Sequence, residues 1–163
     1  MIKEEKNIKI NFLLLLIIFS FISRIIATYF YRDIDLSSEN ANEWNILLQN
    51  LIQYKSYSLY IFNEKPIPSV YMPPGYPFFL YFLNVFKYFF ESLNLLYVIL
   101  FFQIILSTYS VYIFYQISSK FFSNNLSLIS SSIFSFFPIN LYSCGQISSI
   151  NLQIFLSLLF LYL

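Results

Sequence analysis

The chain has 163 residues, of which 58% are hydrophobic, 23% aromatic and only 10% charged, with a formal net charge of +1. Soluble domains carry about 25% charged residues, so polar side chains cannot cover a folded surface here and lipid must solvate much of it. The balance offers no basic patch for a nucleic-acid partner, and the absence of histidine excludes a Ser-His-Asp triad, a Cys-His nucleophile and an ordinary zinc site.

Residues 1–10 read as a short cytoplasmic tail with Lys3, Lys6 and Lys9. Residues 11–31 read as the first transmembrane helix, since a span needs about 20 largely apolar residues. In this reading Arg24 sits near the far interface as an anchor. The lysines put the amino terminus in the cytoplasm by the positive-inside rule. A basic start before an apolar run also fits a signal peptide, but no small-x-small cleavage pattern follows it. Residues 32–74 are then an extracytoplasmic loop holding most of the acids: Asp33, Asp35, Glu39, Glu43 and Glu64.

Within that loop Trp44, Leu47, Leu48, Leu51 and Ile52 recur at helical spacing. This predicts an amphipathic helix over about 40–54. Its apolar stripe is expected at the bilayer interface, with Asn42, Asn45, Gln49, Asn50 and Gln53 on the opposite side. Lys55 to Ser69 reads as turn-like, with Lys65-Pro66-Ile67-Pro68 extended. Pro73-Pro74 opens the next helix, because the first-turn amides lack intrahelical partners anyway.

Further membrane helices fill 75–163: about 75–90, 95–117, a short run at 126–137, and an incomplete one at 147–163. The fold class is therefore all-α, a polytopic set of membrane helices with an amphipathic helix in the first extracytoplasmic loop. If every run crosses, Ser143 to Gln146 faces the cytoplasm; if 126–137 only dips into the bilayer, it faces outside. The last apolar run has no polar flank, which reads as the front part of a longer protein.

Carboxylates at a membrane boundary suit general-base work on an incoming hydroxyl. Glu43 borders the apolar stripe and is the first candidate; Asp33, Asp35 and Glu39 are alternatives. The same spacing lets Asn40 and Glu43 form a capping box. Asp33-Ile-Asp35 offers oxygen ligands to a divalent cation, though a lone pair of acids specifies no metal. Arg24 and Arg32 are candidate phosphate clamps through the guanidinium fork. The lone Cys144 has no disulfide partner. Asn84, Gln103 and Gln116 within the runs leave a transporter reading open.

One order of residues adds to this: an apolar anchor ending in arginine, an acidic loop, Asn42-Glu43-Trp44 with Leu47, Asn50 and Leu51, Tyr57-Ser58, Met72-Pro73-Pro74-Gly75-Tyr76-Pro77, Gln103, and Phe136-Phe137-Pro138. It resembles the amino-terminal part of GT-C membrane glycosyltransferases of the protein-mannosyltransferase-like type. The resemblance implies transfer of a sugar from a polyprenyl-phosphate donor to an acceptor hydroxyl on a glycan, lipid or protein, outside the cytoplasm, in a bacterial inner membrane. It implies Glu43 as the acid-base residue, since Asn42 stands where the family has a second acid. Arg32 or Lys65 would offset charge on the departing phosphate, and Pro73, Pro74, Gly75, Tyr76 and Pro77 would form a rigid start to the next helix. The family's later carboxylate has no counterpart between Gly145 and Leu163, so this chain alone is expected to be inactive. The rival reading is a non-catalytic membrane subunit or lipid-carrier-binding module.

Overall fold

The structure is a computed structural model that describes residues 2–32, 43–63, 65–68, 72–88 and 93–163, with side chains described from residue 11 onward. The described chain is mostly helical: α1 (Ile2–Tyr31), α2 (Glu43–Tyr54), α3 (Gly75–Tyr88), α4 (Leu95–Phe121), α5 (Asn124–Ser135), α6 (Pro138–Tyr142) and α7 (Ile150–Tyr162). A 3-10 turn, Ser143–Gly145, follows α6, and two strands, β1 (Ser58–Phe62) and β2 (Lys65–Pro68), lie between α2 and α3.

Two of these helices are long and apolar enough to cross a bilayer, Asn11–Tyr31 within α1 and Leu95–Phe121. The chain is thus a membrane protein with at least a pair of candidate spans. A third is available if α5 and α6, bent by 54° at their junction, act together as one broken span or re-entrant loop. The bend has a local cause. Pro138 at the start of α6 cannot donate to the preceding turn, and Phe137 before it takes an extended ψ of 127°.

Several expectations change. The charged tail is helical from Ile2, continuous with the span. The run expected over about 75–90 is a helix of 14 residues, Gly75–Tyr88. Residues 89–92, where the expected run ends, lie outside the described residues. The break expected after Ile117 comes later, because α4 runs on to Phe121 with Lys120 in its last turn, where a cation suits the helix dipole. The chain is also not purely α. The turn-like stretch after α2 is an antiparallel hairpin, with Phe62 opposite Lys65 and Ser58 opposite Pro68. Asn63 makes its turn in the left-handed region, φ 46°, a conformation that asparagine tolerates better than most residues.

The chain divides into two compact units. The first comprises Met1–Arg32, Phe102–Gln146 and Ile150–Leu163; the second comprises Asp33–Phe101 and Ile147–Ser149.

In the first unit polarity is inverted relative to a water-soluble core. On α1, Ser20, Arg24, Ala27 and Thr28 are buried, while Phe12, Leu15, Ile18, Phe19, Ile22 and Ile26 are exposed. On α5, Ser127, Ser131 and Ser135 are wholly buried at i, i+4 and i+8, while Leu126, Ile129 and Ile133 face out. Water would penalise this arrangement and hydrocarbon favours it, since small residues let helices approach and tails are as apolar as leucine. Two of the buried α5 hydroxyls bond to the preceding turn: Ser127 Oγ donates to the Ser123 carbonyl at 3.1 Å and Ser131 Oγ to the Ser127 carbonyl at 2.7 Å. Phe114 stacks on Phe134 at 4.6 Å between ring centroids, joining α4 to α5.

The second unit has an ordinary core. Leu47, Leu48 and Leu51 of α2 bury against α3, which contributes Tyr76, Leu80 and Leu83. The polar side expected on α2 is partly inside, because Asn45 and Asn50 are buried. Asn50 Nδ2 donates to the Ser58 carbonyl at 2.7 Å and so holds the hairpin, while Gln53 on the same side stays exposed.

Candidate functional site

Each unit holds one constellation with chemical potential. In the second, Glu43 is the first residue of α2 and exposed. An acid in a first turn is favoured by the helix dipole. The next residue, Trp44, is half-buried and meets Tyr76 edge-to-face, with ring centroids 5.2 Å apart and planes at 84°. Such aromatic pairs contribute about 0.5–1.5 kcal/mol beyond their burial. Tyr76 in turn stacks on Phe79. Pro77 is buried as well, and the Phe78 amide closes the first turn of α3 on the Pro74 carbonyl at 3.1 Å.

The hairpin is fastened to the same place. Tyr57 stacks on Phe78, and its hydroxyl donates to the Met72 carbonyl at 2.6 Å. Burial pushes the Tyr57 phenol above its ordinary value, which keeps the donor protonated. Lys55, in the left-handed region at φ 54°, lies 3.3 Å from the Tyr81 hydroxyl and 5.5 Å from that ring's centroid. Acid-bearing helix start, hairpin and Pro-Pro-Gly-Tyr-Pro segment therefore form one packed body. Lys65 is exposed at the head of β2. Arg32 is exposed at the end of α1, its guanidinium 6.0 Å from the Tyr29 ring centroid, and belongs to the first unit. Asp33, Asp35, Glu39, Asn40 and Asn42 lie outside the described residues. Among the described residues no group of three or more acids or cysteines is placed to hold a metal.

The first unit is organised around Arg24, which sequence reasoning placed at the interface as an anchor. That placement is corrected: Arg24 is wholly buried. Its Nε donates to Ser107 Oγ at 2.8 Å, and Nη1 to the Ser20 carbonyl at 3.0 Å, to Ser20 Oγ, and at 3.4 Å to Ser135 Oγ. One cation thereby joins α1, α4 and α5. Its Nη2 is buried without a partner, as is Asn151 Nδ2. Cys144 lies beside Arg24, Ser107 and Asn151, and Ser143 Oγ donates to Asn151 Oδ1 at 2.9 Å.

The signal for this cluster was present: Ser20, Arg24, Ala27 and Thr28 follow helical spacing on an otherwise apolar run. A polar stripe on a membrane helix marks the face turned to other helices. The end of α1 is held by the 3-10 turn, where Gln146 Nε2 donates to the Tyr31 carbonyl and Tyr142 meets Tyr31 edge-on at 5.6 Å.

Compared with known proteins, the chain matches no family model, no curated protein and no solved structure.

Proposed function

We propose that the chain belongs to a polytopic membrane glycosyltransferase of GT-C type, which moves a sugar from a polyprenyl-phosphate donor to an acceptor hydroxyl on the extracytoplasmic side of a bacterial inner membrane. Glu43 is the base that takes the acceptor proton, and Arg32 or Lys65 offsets charge on the leaving phosphate. The observation that carries the reading is the contact of Trp44 with Tyr76. It ties the acidic helix start to the Pro-Pro-Gly-Tyr-Pro segment, the two motifs on which the resemblance rests. Glu43 stays exposed beside that contact, as a base meeting a water-borne acceptor must.

The test is sugar transfer from a radiolabelled polyprenyl-phosphate donor by membranes carrying the protein. Glu43→Gln abolishes transfer while the protein still inserts; unchanged turnover removes Glu43 from the mechanism. Topology is checked separately with Lys65→Cys, which reacts with an impermeant maleimide from outside the cytoplasm. Reaction only from the cytoplasmic side overturns the orientation.

The lack of any acid between Gly145 and Leu163 favours a second reading, a lipid-carrier-binding module without catalysis. It predicts donor binding that Glu43→Gln leaves intact and no transfer by any form of the protein.

A further inference from the structure

We propose that Arg24, with Ser20, Ser107 and Ser135, is the headgroup site for a phosphate-bearing phospholipid of the surrounding bilayer. Its hydrocarbon chain lies in the groove formed by Ile17, Phe21, Ile105, Thr108, Tyr109 and Tyr112. Three observations converge on this.

The first is charge. A guanidinium removed from water is costly unless paired, and all of Arg24's partners among the described residues are neutral hydroxyls and a carbonyl. The second is direction of hydrogen bonding. Arg24 Nη2 and Asn151 Nδ2 are buried donors without acceptors, and Cys144 lies near both residues. An oxyanion supplies acceptors and the missing negative charge together, and phosphate oxygens match the guanidinium fork. The third is the groove, with a volume of about 360 Å³. It reaches Phe21, one turn from Arg24 on α1, and Thr108, next to Ser107 on α4. Thr108 Oγ1 is also buried and unpartnered. Its walls are otherwise side chains that a hydrocarbon chain would wet. Head and tail sites are thus adjacent along both helices. The 3.4 Å contact to Ser135 is the longest of Arg24's set and is the one that yields to admit the phosphate.

The proposal does not depend on Glu43, and its readout is bound lipid, not turnover. The experiment is native mass spectrometry of the full chain released from micelles doped with equal mole fractions of dioleoyl phosphatidic acid or dioleoyl phosphatidylcholine. A third arm contains inorganic phosphate and no added lipid. The parent retains phosphatidic acid in preference to phosphatidylcholine. Arg24→Gln lowers that retention about tenfold, the loss expected for one charged hydrogen-bonded contact. Ile105→Trp fills the groove at a half-exposed position and lowers it as well, while Cys144 stays protected from thiol reagents in the folded protein. Equal retention of the two lipids, or undiminished phosphatidic acid on Arg24→Gln, overturns the proposal. Arg24-dependent binding of inorganic phosphate that phosphatidic acid does not displace also overturns it, making the occupant a free anion. Should Arg24→Gln fail to fold, Ile105→Trp decides: unchanged retention of phosphatidic acid refutes the groove.

Discussion

Gly145→Ala tests how the end of α1 is held. A methyl group built on Gly145 would stand 2.7 Å from the Tyr31 carbonyl carbon, 2.8 Å from its oxygen and 2.9 Å from the Arg32 nitrogen. All three are backbone atoms, so no side-chain rotation relieves the clash. Ordinary contact begins at 3.4 Å, so the two segments must part by roughly 0.7 Å. Overpacking of this kind costs about 1–3 kcal/mol. The separation also strains the Gln146 hydrogen bond to Tyr31, worth about 1 kcal/mol. At 2–4 °C per kcal/mol for a chain of this size, the midpoint falls by roughly 4–15 °C.

The chain carries its own reporter, because Cys144 is the sole cysteine and is buried. Purified protein in micelles is heated with a thiol-reactive dye, and helix loss is followed in parallel by circular dichroism. Gly75→Ala is the control, since a methyl group there meets nothing within 4 Å. A Gly145→Ala midpoint indistinguishable from parent and control, by both probes, refutes the close packing of the 3-10 turn on α1.

Asn50→Ala removes the donor to the Ser58 carbonyl and leaves a buried acceptor unmade, at a cost of about 1–3 kcal/mol; proteolysis within the hairpin should quicken. Tyr57→Phe deletes the hydroxyl bond to Met72 and should loosen the same segment at neutral pH. The parent should lose that bond only in alkali. The folded phenol titrates above its ordinary value near 10, so its contribution is intact below that pH and fades as pH rises through the folded value. A titration of hairpin protection against pH checks this, and Tyr57→Phe should flatten it. Trp44→Phe keeps an aromatic contact with Tyr76 and Trp44→Ala does not. Under the proposed transferase reading, the first should retain transfer and the second lose most of it.

Helical character and the two long apolar helices were legible in the sequence because length and hydropathy alone decide them. The hairpin was not. Its second strand carries Pro66 and Pro68, its turn at Asn63 lacks the glycine that usually marks one, and no strict alternation runs through Ser58–Phe62. The face of α2 was misread for a different reason. Periodicity identifies the leucines, but the burial of Asn45 and Asn50 depends on where the Ser58 carbonyl lies, which is tertiary information. Arg24 illustrates the same limit. Its spacing from Ser20 and Thr28 is local, while Ser107 and Ser135, which make the position tolerable, come from far along the chain. The acids at 33, 35, 39 and 64 lie outside the described residues.

The long reach of Arg24 bears on how the protein is made. Two of its partners stand 83 and 111 residues later. At 5–20 residues per second, the ribosome delivers the second of them roughly 5–20 s after Arg24 has left the tunnel. An arginine inside a span disfavours insertion, by up to about 2.5–3.5 kcal/mol at the helix centre, and until then only Ser20 on the same helix is there to accept its hydrogen bonds. The nascent first helix should therefore linger at the translocon or under an insertase, and enter the bilayer for good only alongside the segments that bring Ser107 and Ser135.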